Sequence, residues 1–145
     1  MTYIPDLTQK GKYVFAGYLA CGHEWPQGEV SDVVLDRLVK LGTVTFNFTD
    51  YFGYHHCDLG SCNPEATSEE NYWRGIRIPH YCKRDIWVPD RTVIYNTPQM
   101  ILHYIRAHRY LPPAIFLDAV LHGPEPGSES YRAELNRIRP FFGWG

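Results

Sequence analysis

A chain of 145 residues has the length of one domain and is too short for two comfortable ones. Its 44% apolar and 15% aromatic content is globular, and eleven prolines with twelve glycines exclude a long helical bundle in favour of short elements joined by turns. The net charge of −2 argues against a general nucleic-acid binder, though the charge is uneven: residues 1–70 hold four Lys/Arg against ten Asp/Glu, and residues 71–145 hold ten against six.

The opening MTYIPDLTQKGKY has no basic-then-apolar leader pattern, and no apolar run is long enough to cross a bilayer. A cytoplasmic location is therefore expected, where thiols stay reduced and Cys/His groups serve as ligands or core residues more often than as disulfides. Residues 13–20, YVFAGYLA, read as a buried strand, and CGHEWPQGE after them as a loop. Ser31 is placed to cap a helix over 32–41, with Val34, Leu35, Leu38 and Leu41 on one stripe and Gly42 at its end. TVTFNFT, residues 43–49, alternates as a half-buried strand does. A polar, mobile loop is expected at about 63–72, and a short strand over 74–78. Residues 85–88 and 92–95 predict a hairpin, with Pro89 in a type I turn.

Thr97-Pro98 predicts the cap and first position of a helix running to about 109, and Pro112-Pro113 starts the next, over 113–122. Ser128 caps a last helix near 129–138, with Tyr131, Leu135 and Ile138 inward. The apolar tail 140–145, containing FFGWG, is expected to pack on the body or on a partner, so self-association or an unknown protein partner is its expected use. Strands early and helices late, without strict alternation, predict a single α+β domain over 1–145, with a small antiparallel sheet and three to four helices.

Chemistry gathers in YHHCDLGSC, residues 54–62. Cys57-x4-Cys62 has the gap of a structural zinc half-site, with Gly60 permitting the bend between the sulfurs. His103-x4-His108 has the gap of the histidine half-site. Two sulfurs and two imidazole nitrogens suit a tetrahedral structural Zn²⁺ that ties a loop to a helix. Five helical positions turn through about 140° net, so both histidines reach one ion only if the last turn loosens. His55, His80 and Cys82 are rivals for a place, whereas Cys21 and Cys82 also read as small core residues.

Alternative readings remain. A zinc-dependent hydrolase would use three protein ligands and an open position, with Asp58 or His55 as base and His23 and Glu24 approaching from their loop. A Cys57 nucleophile is disfavoured, because adjacent His56 points to the opposite face of an extended chain. Residues 72–91 interleave Arg74, Arg77, Lys83, Arg84 and Arg91 with Trp73, Tyr81 and Trp87, the mixture that single-stranded nucleic acid needs.

The pieces IPDLTQ, AGYLACGHEWPQG, YHHC with a second Cys, and VIYNTPQMILHYIRAHRYLPPAIFLDAVL together resemble a family of small uncharacterised bacterial proteins, over roughly two thirds of the chain. That family's pattern is His-x-Cys-x-x-Cys followed by His-Tyr-x-x-x-His-x-Tyr-x-Pro-Pro-x-x-Phe. The resemblance maps His55, Cys57, Cys62, His103 and His108 onto its Cys/His positions. Two departures stand out. The thiol gap here is four residues instead of two, and HYCKRDIW looks like added material that could bring in His80 and Cys82. The family transfers no activity; it strengthens the metal reading.

Overall fold

A computed structural model describes residues 3–46, 55–60, 62, 68–79, 81–82 and 84–139; of His55, Tyr81 and Cys82 it describes the backbone alone. The strands are β1 (Thr8–Lys10), β2 (Tyr13–Phe15), β3 (His55–His56), β4 (Tyr72–Trp73), β5 (Ile76–Arg77), β6 (Tyr81–Cys82), β7 (Asp85–Asp90) and β8 (Val93–Pro98). The helices are α1 (Asp32–Leu41), α2 (Ile101–His108), α3 (Ala114–His122) and α4 (Glu129–Ile138). A 3₁₀ turn over Glu69–Asn71 precedes β4.

The main sheet has the order β1-β2-β8-β7. The α+β class holds, with one difference: β2 runs parallel to β8, Tyr13 opposite Ile94, so the sheet is mixed. The buried run predicted over 13–20 is buried throughout, yet strand geometry stops at Phe15, because Gly17 takes φ +82. A β-carbon built on Gly17 would lie 2.8 Å from Thr97 Oγ1, so the chain crosses β8 there at a distance only glycine allows. Gly17 N–H donates to Asp6 Oδ1 at 3.0 Å, and the buried Tyr110 hydroxyl donates to both oxygens of Asp6 at 2.9 Å. Burial, and then the Asp6 charge, push the Tyr110 phenol far above its ordinary range.

The predicted 74–78 strand is instead a small hairpin, β4 paired with β5 across Arg74-Gly75, both at positive φ. The predicted turn at Pro89 is also moved. Pro89 lies inside β7 opposite Ile94, and the reversal occurs at Arg91-Thr92. β7 is the sheet's outer strand, where a residue lacking an N–H is tolerated. Thr97 and Pro98 belong to β8, opposite Ile86 and Asp85, so α2 begins three residues later than expected, with no side-chain cap. Within 43–49, Phe46 bridges Asp85; residues 47–49 lie outside the described residues, as do residues 63–67 of the predicted 63–72 loop and the 140–145 tail.

α1 and α4 fall where Ser31 and Ser128 place them. Each serine oxygen accepts from the amide three residues on, Val34 at 3.4 Å and Tyr131 at 3.2 Å. Val34, Leu35, Leu38 and Leu41 are all buried, each contributing roughly 2 kcal/mol through apolar area removed from water. Trp87, Tyr18, Tyr104, Tyr110, Tyr131 and Phe116 are the bulkiest fully buried side chains, and Phe46 stacks on Trp87 at 4.2 Å. A polar chain runs through this core. Trp87 Nε1 donates to Asn96 Oδ1 at 2.5 Å, Asn96 Nδ2 donates to the Tyr18 hydroxyl, and that hydroxyl donates to Asp85 Oδ1 at 2.6 Å. Each link satisfies a group that would otherwise be costly to bury.

Candidate metal centre

α2 carries both histidines. Its first turn holds His103, fully buried, and its last residue is His108, 8% exposed. Arg109 then takes φ +54, and the amides of Arg109 and Tyr110 both fold back onto Tyr104 O. The helix therefore stays regular through His108 and ends abruptly; Pro112-Pro113 does not loosen its last turn. The His108 carbonyl, left without a helical partner at this end, accepts from Trp25 Nε1 at 2.9 Å, and the Trp25 ring meets the His108 imidazole edge-on.

The loop after β3 brings the sulfurs. β3 pairs with β6, His55 opposite Cys82, and the chain turns at Gly60, whose φ is +80. Asp58 Oδ1 accepts from the Cys21 amide at 3.3 Å, pinning this loop to the 21–29 segment. Arg106 does the same for the following 3₁₀ turn, donating to Glu69 O at 3.1 Å and Tyr72 O at 3.2 Å.

Cys57, Cys62, His103 and His108 thus converge, with one ligand atom of each within 4.8 Å of all the others. Cys62 Sγ lies 3.5 Å from Cys57 Sγ, 3.5 Å from His103 Nε2 and 3.1 Å from His108 Nε2; Cys57 Sγ lies 3.4 Å from His108 Nε2. A tetrahedral zinc with ordinary bond lengths has edges of about 3.8 Å between sulfurs and about 3.6 Å between sulfur and nitrogen. These four edges are slightly shorter than that tetrahedron's and the other two lie within 4.8 Å, so the donor set suits the ion in chemistry and approximately in size. The sulfur separation is also far beyond the about 2.05 Å of a disulfide, and both thiols are free. The 140° between the histidines is spanned by Cys62, whose sulfur lies near Nε2 of both rings, and the ring centroids are 5.2 Å apart.

Burial shapes the unmetallated groups. It pushes the Cys57 thiol up to about 12, with the neighbouring Cys62 and Asp58 adding to the rise and a hydrogen bond to the Leu59 backbone opposing it. It pulls the His108 imidazole below its ordinary value, against the pull of Glu70.

The other candidates lie either away from this cluster or outside the described residues. His80 and the side chains of His55 and Cys82 lie outside the described residues. Cys21 is exposed, so its reading as a core residue is corrected. His23 stacks flat on Tyr3 at 3.8 Å, and Glu24 is exposed. A concavity of about 630 Å³, lined in part by Val14, Asp90, Arg91, Tyr95, Asp118 and His122, includes none of the four clustered residues. Of the 72–91 cations, Lys83 lies outside the described residues and Arg84 is exposed. Arg74 pairs with Asp36 at 2.7 Å and lies over Trp73, Arg77 lies over Tyr72, and Arg91 lines that separate concavity. The contributions of Trp25 and Asp58 escaped the sequence reading, because each acts on a partner distant along the chain.

No helix among the described residues is long and apolar enough to cross a membrane. The model of one family, a domain of unknown function (DUF7919), matches residues 1–121, a span that includes all four clustered side chains. No curated protein and no solved structure matches the chain.

Proposed function

This chain belongs to the DUF7919 family, and from that footing we propose that it is a zinc-stabilised accessory module, acting through protein contacts in the cytoplasm. Cys57, Cys62, His103 and His108 hold one Zn²⁺, which ties the 57–62 loop to α2. The carrying observation is that two sulfurs and two imidazole nitrogens from segments more than forty residues apart meet within 4.8 Å of one another, with four of the six edges close to those of a zinc tetrahedron. Free thiols at Cys21, Cys57 and Cys62 suit a reducing compartment.

Four protein donors fill the tetrahedron, and two of them are thiolates that damp the ion's Lewis acidity. Both features favour a structural over a hydrolytic zinc. Asp58, one of the two bases a hydrolase could use beside His55, accepts from the Cys21 amide. Protein purified without added metal is expected to carry about one zinc per chain, and cobalt substitution to give the visible ligand-field bands of a tetrahedral sulfur-containing site. The Cys57→Ser/Cys62→Ser protein should lose both the ion and thermal stability. A double variant that melts with the parent would reject the structural role.

A further inference from the structure

The zinc cluster is lopsided. Both imidazoles are buried in the helix-side core, whereas both sulfurs are half-exposed on a loop. The sulfurs are neighbours at 3.5 Å, so a short further approach would join them. Gly60 sits between them at φ +80, with nothing within 4 Å of where its β-carbon would be, so the loop has room to pucker. All the sulfur in the cluster comes from this one pair. Joining it removes two of four ligands in a single event and leaves two neutral imidazoles, too few to retain the ion.

We propose that Cys57 and Cys62 are an oxidation site, and that a peroxide converts them to a disulfide and releases the zinc. This rests on the zinc reading above. One thiolate attacks the peroxide, breaking the O–O bond to give a sulfenic acid and water. The second sulfur attacks the first, the S–S bond forms, and the hydroxyl leaves as a second water. Two electrons pass from the sulfurs to hydrogen peroxide, two protons are taken up from solvent, and Zn²⁺ departs. A dithiol reductant with zinc restores the site. Release of the ion unties the 57–62 loop from α2, so the module's surface would follow the oxidant level around it.

The test uses the zinc-loaded full-length protein and its Cys21→Ser variant, which removes the exposed thiol outside the cluster. Each is treated with one equivalent of hydrogen peroxide while a chromophoric chelator follows free zinc, and non-reducing peptide mapping identifies the linked cysteines. Zinc and the Cys57–Cys62 crosslink are expected to appear together, near one per chain, in both proteins, and dithiothreitol plus zinc should reverse both. Zinc that stays bound, a crosslink through Cys21 or Cys82, or release accompanied only by sulfinic acid would each overturn the switch while leaving the structural zinc intact. Protein that binds no zinc when offered it would overturn both readings.

Discussion

Burial acts on Cys57 and His108 in one direction, towards the uncharged form. For the thiol that form keeps its proton, raised to about 12; for the imidazole it has already lost one. A dication reverses the preference of the sulfurs, so loading must expel a proton from each thiol, while His108 is a ready ligand at neutral pH. Apparent zinc affinity is expected to fall as pH falls, by about tenfold to a hundredfold per unit between pH 8 and 6, in competition titrations against a chelator of known affinity. An affinity flat across that range would mean that the sulfurs are not the ligands. The fold should respond in the same sense. Below about pH 6.5 an unfolded histidine takes up a proton that folded His108 resists, so the unfolded state binds more protons and stability declines with acid.

At the scale of elements, Arg37 closes the C-terminal end of α3. Its Nε donates to Val120 O at 2.6 Å, and its Nη2 donates to Gly123 O at 2.7 Å and Pro124 O at 3.0 Å. These carbonyls have few other places to turn at a helix terminus, and a cation there also suits the helix dipole. Arg37→Ala should cost about 2 kcal/mol and lower Tm by roughly 6–8 °C in calorimetry. Glu125→Ala, which removes only the exposed partner of Arg37 and Lys40, should shift Tm far less. Neither outcome is readable from sequence, because Arg37 and its carbonyls lie more than eighty residues apart. What can be read is local. Ser31 and Ser128 announce α1 and α4, and the inward stripe of each is spelled out by its spacing. Thr97-Pro98 announces a helix just as clearly and is overruled, since β7 supplies a pairing partner as far as Pro98. The cluster divides the same way. Its Cys and His spacings are visible in the chain, whereas their meeting depends on how the loop is pinned by Asp58 and where Arg109 ends α2.

For the whole molecule, the proposed ion would link the middle of the chain to the helix at its core. At free zinc 1,000 times above Kd such a ligand contributes about 4 kcal/mol. Stripping it with a strong chelator should therefore lower Tm by roughly 10–15 °C in one cooperative transition, and readdition should restore it. A two-step melt would mean that the loop unfolds apart from the core. The uneven charge of the two halves is partly offset between them where Arg74 pairs with Asp32 and Asp36; the pairs of Glu125 with Arg37 and Lys40 join the minority charge of each half and leave that imbalance in place. Such exposed pairs contribute about 0–1 kcal/mol each, so they orient more than they stabilise. The junction of β2 with β8 carries a cost in time. Tyr13 waits for Ile94, so on a ribosome making about 5–20 residues per second β2 stays without its central neighbour for several seconds. Through that interval the nascent chain presents YVFAGYLA, an apolar stretch able to stick to other chains, and a chaperone bound there early would raise the yield of folded protein.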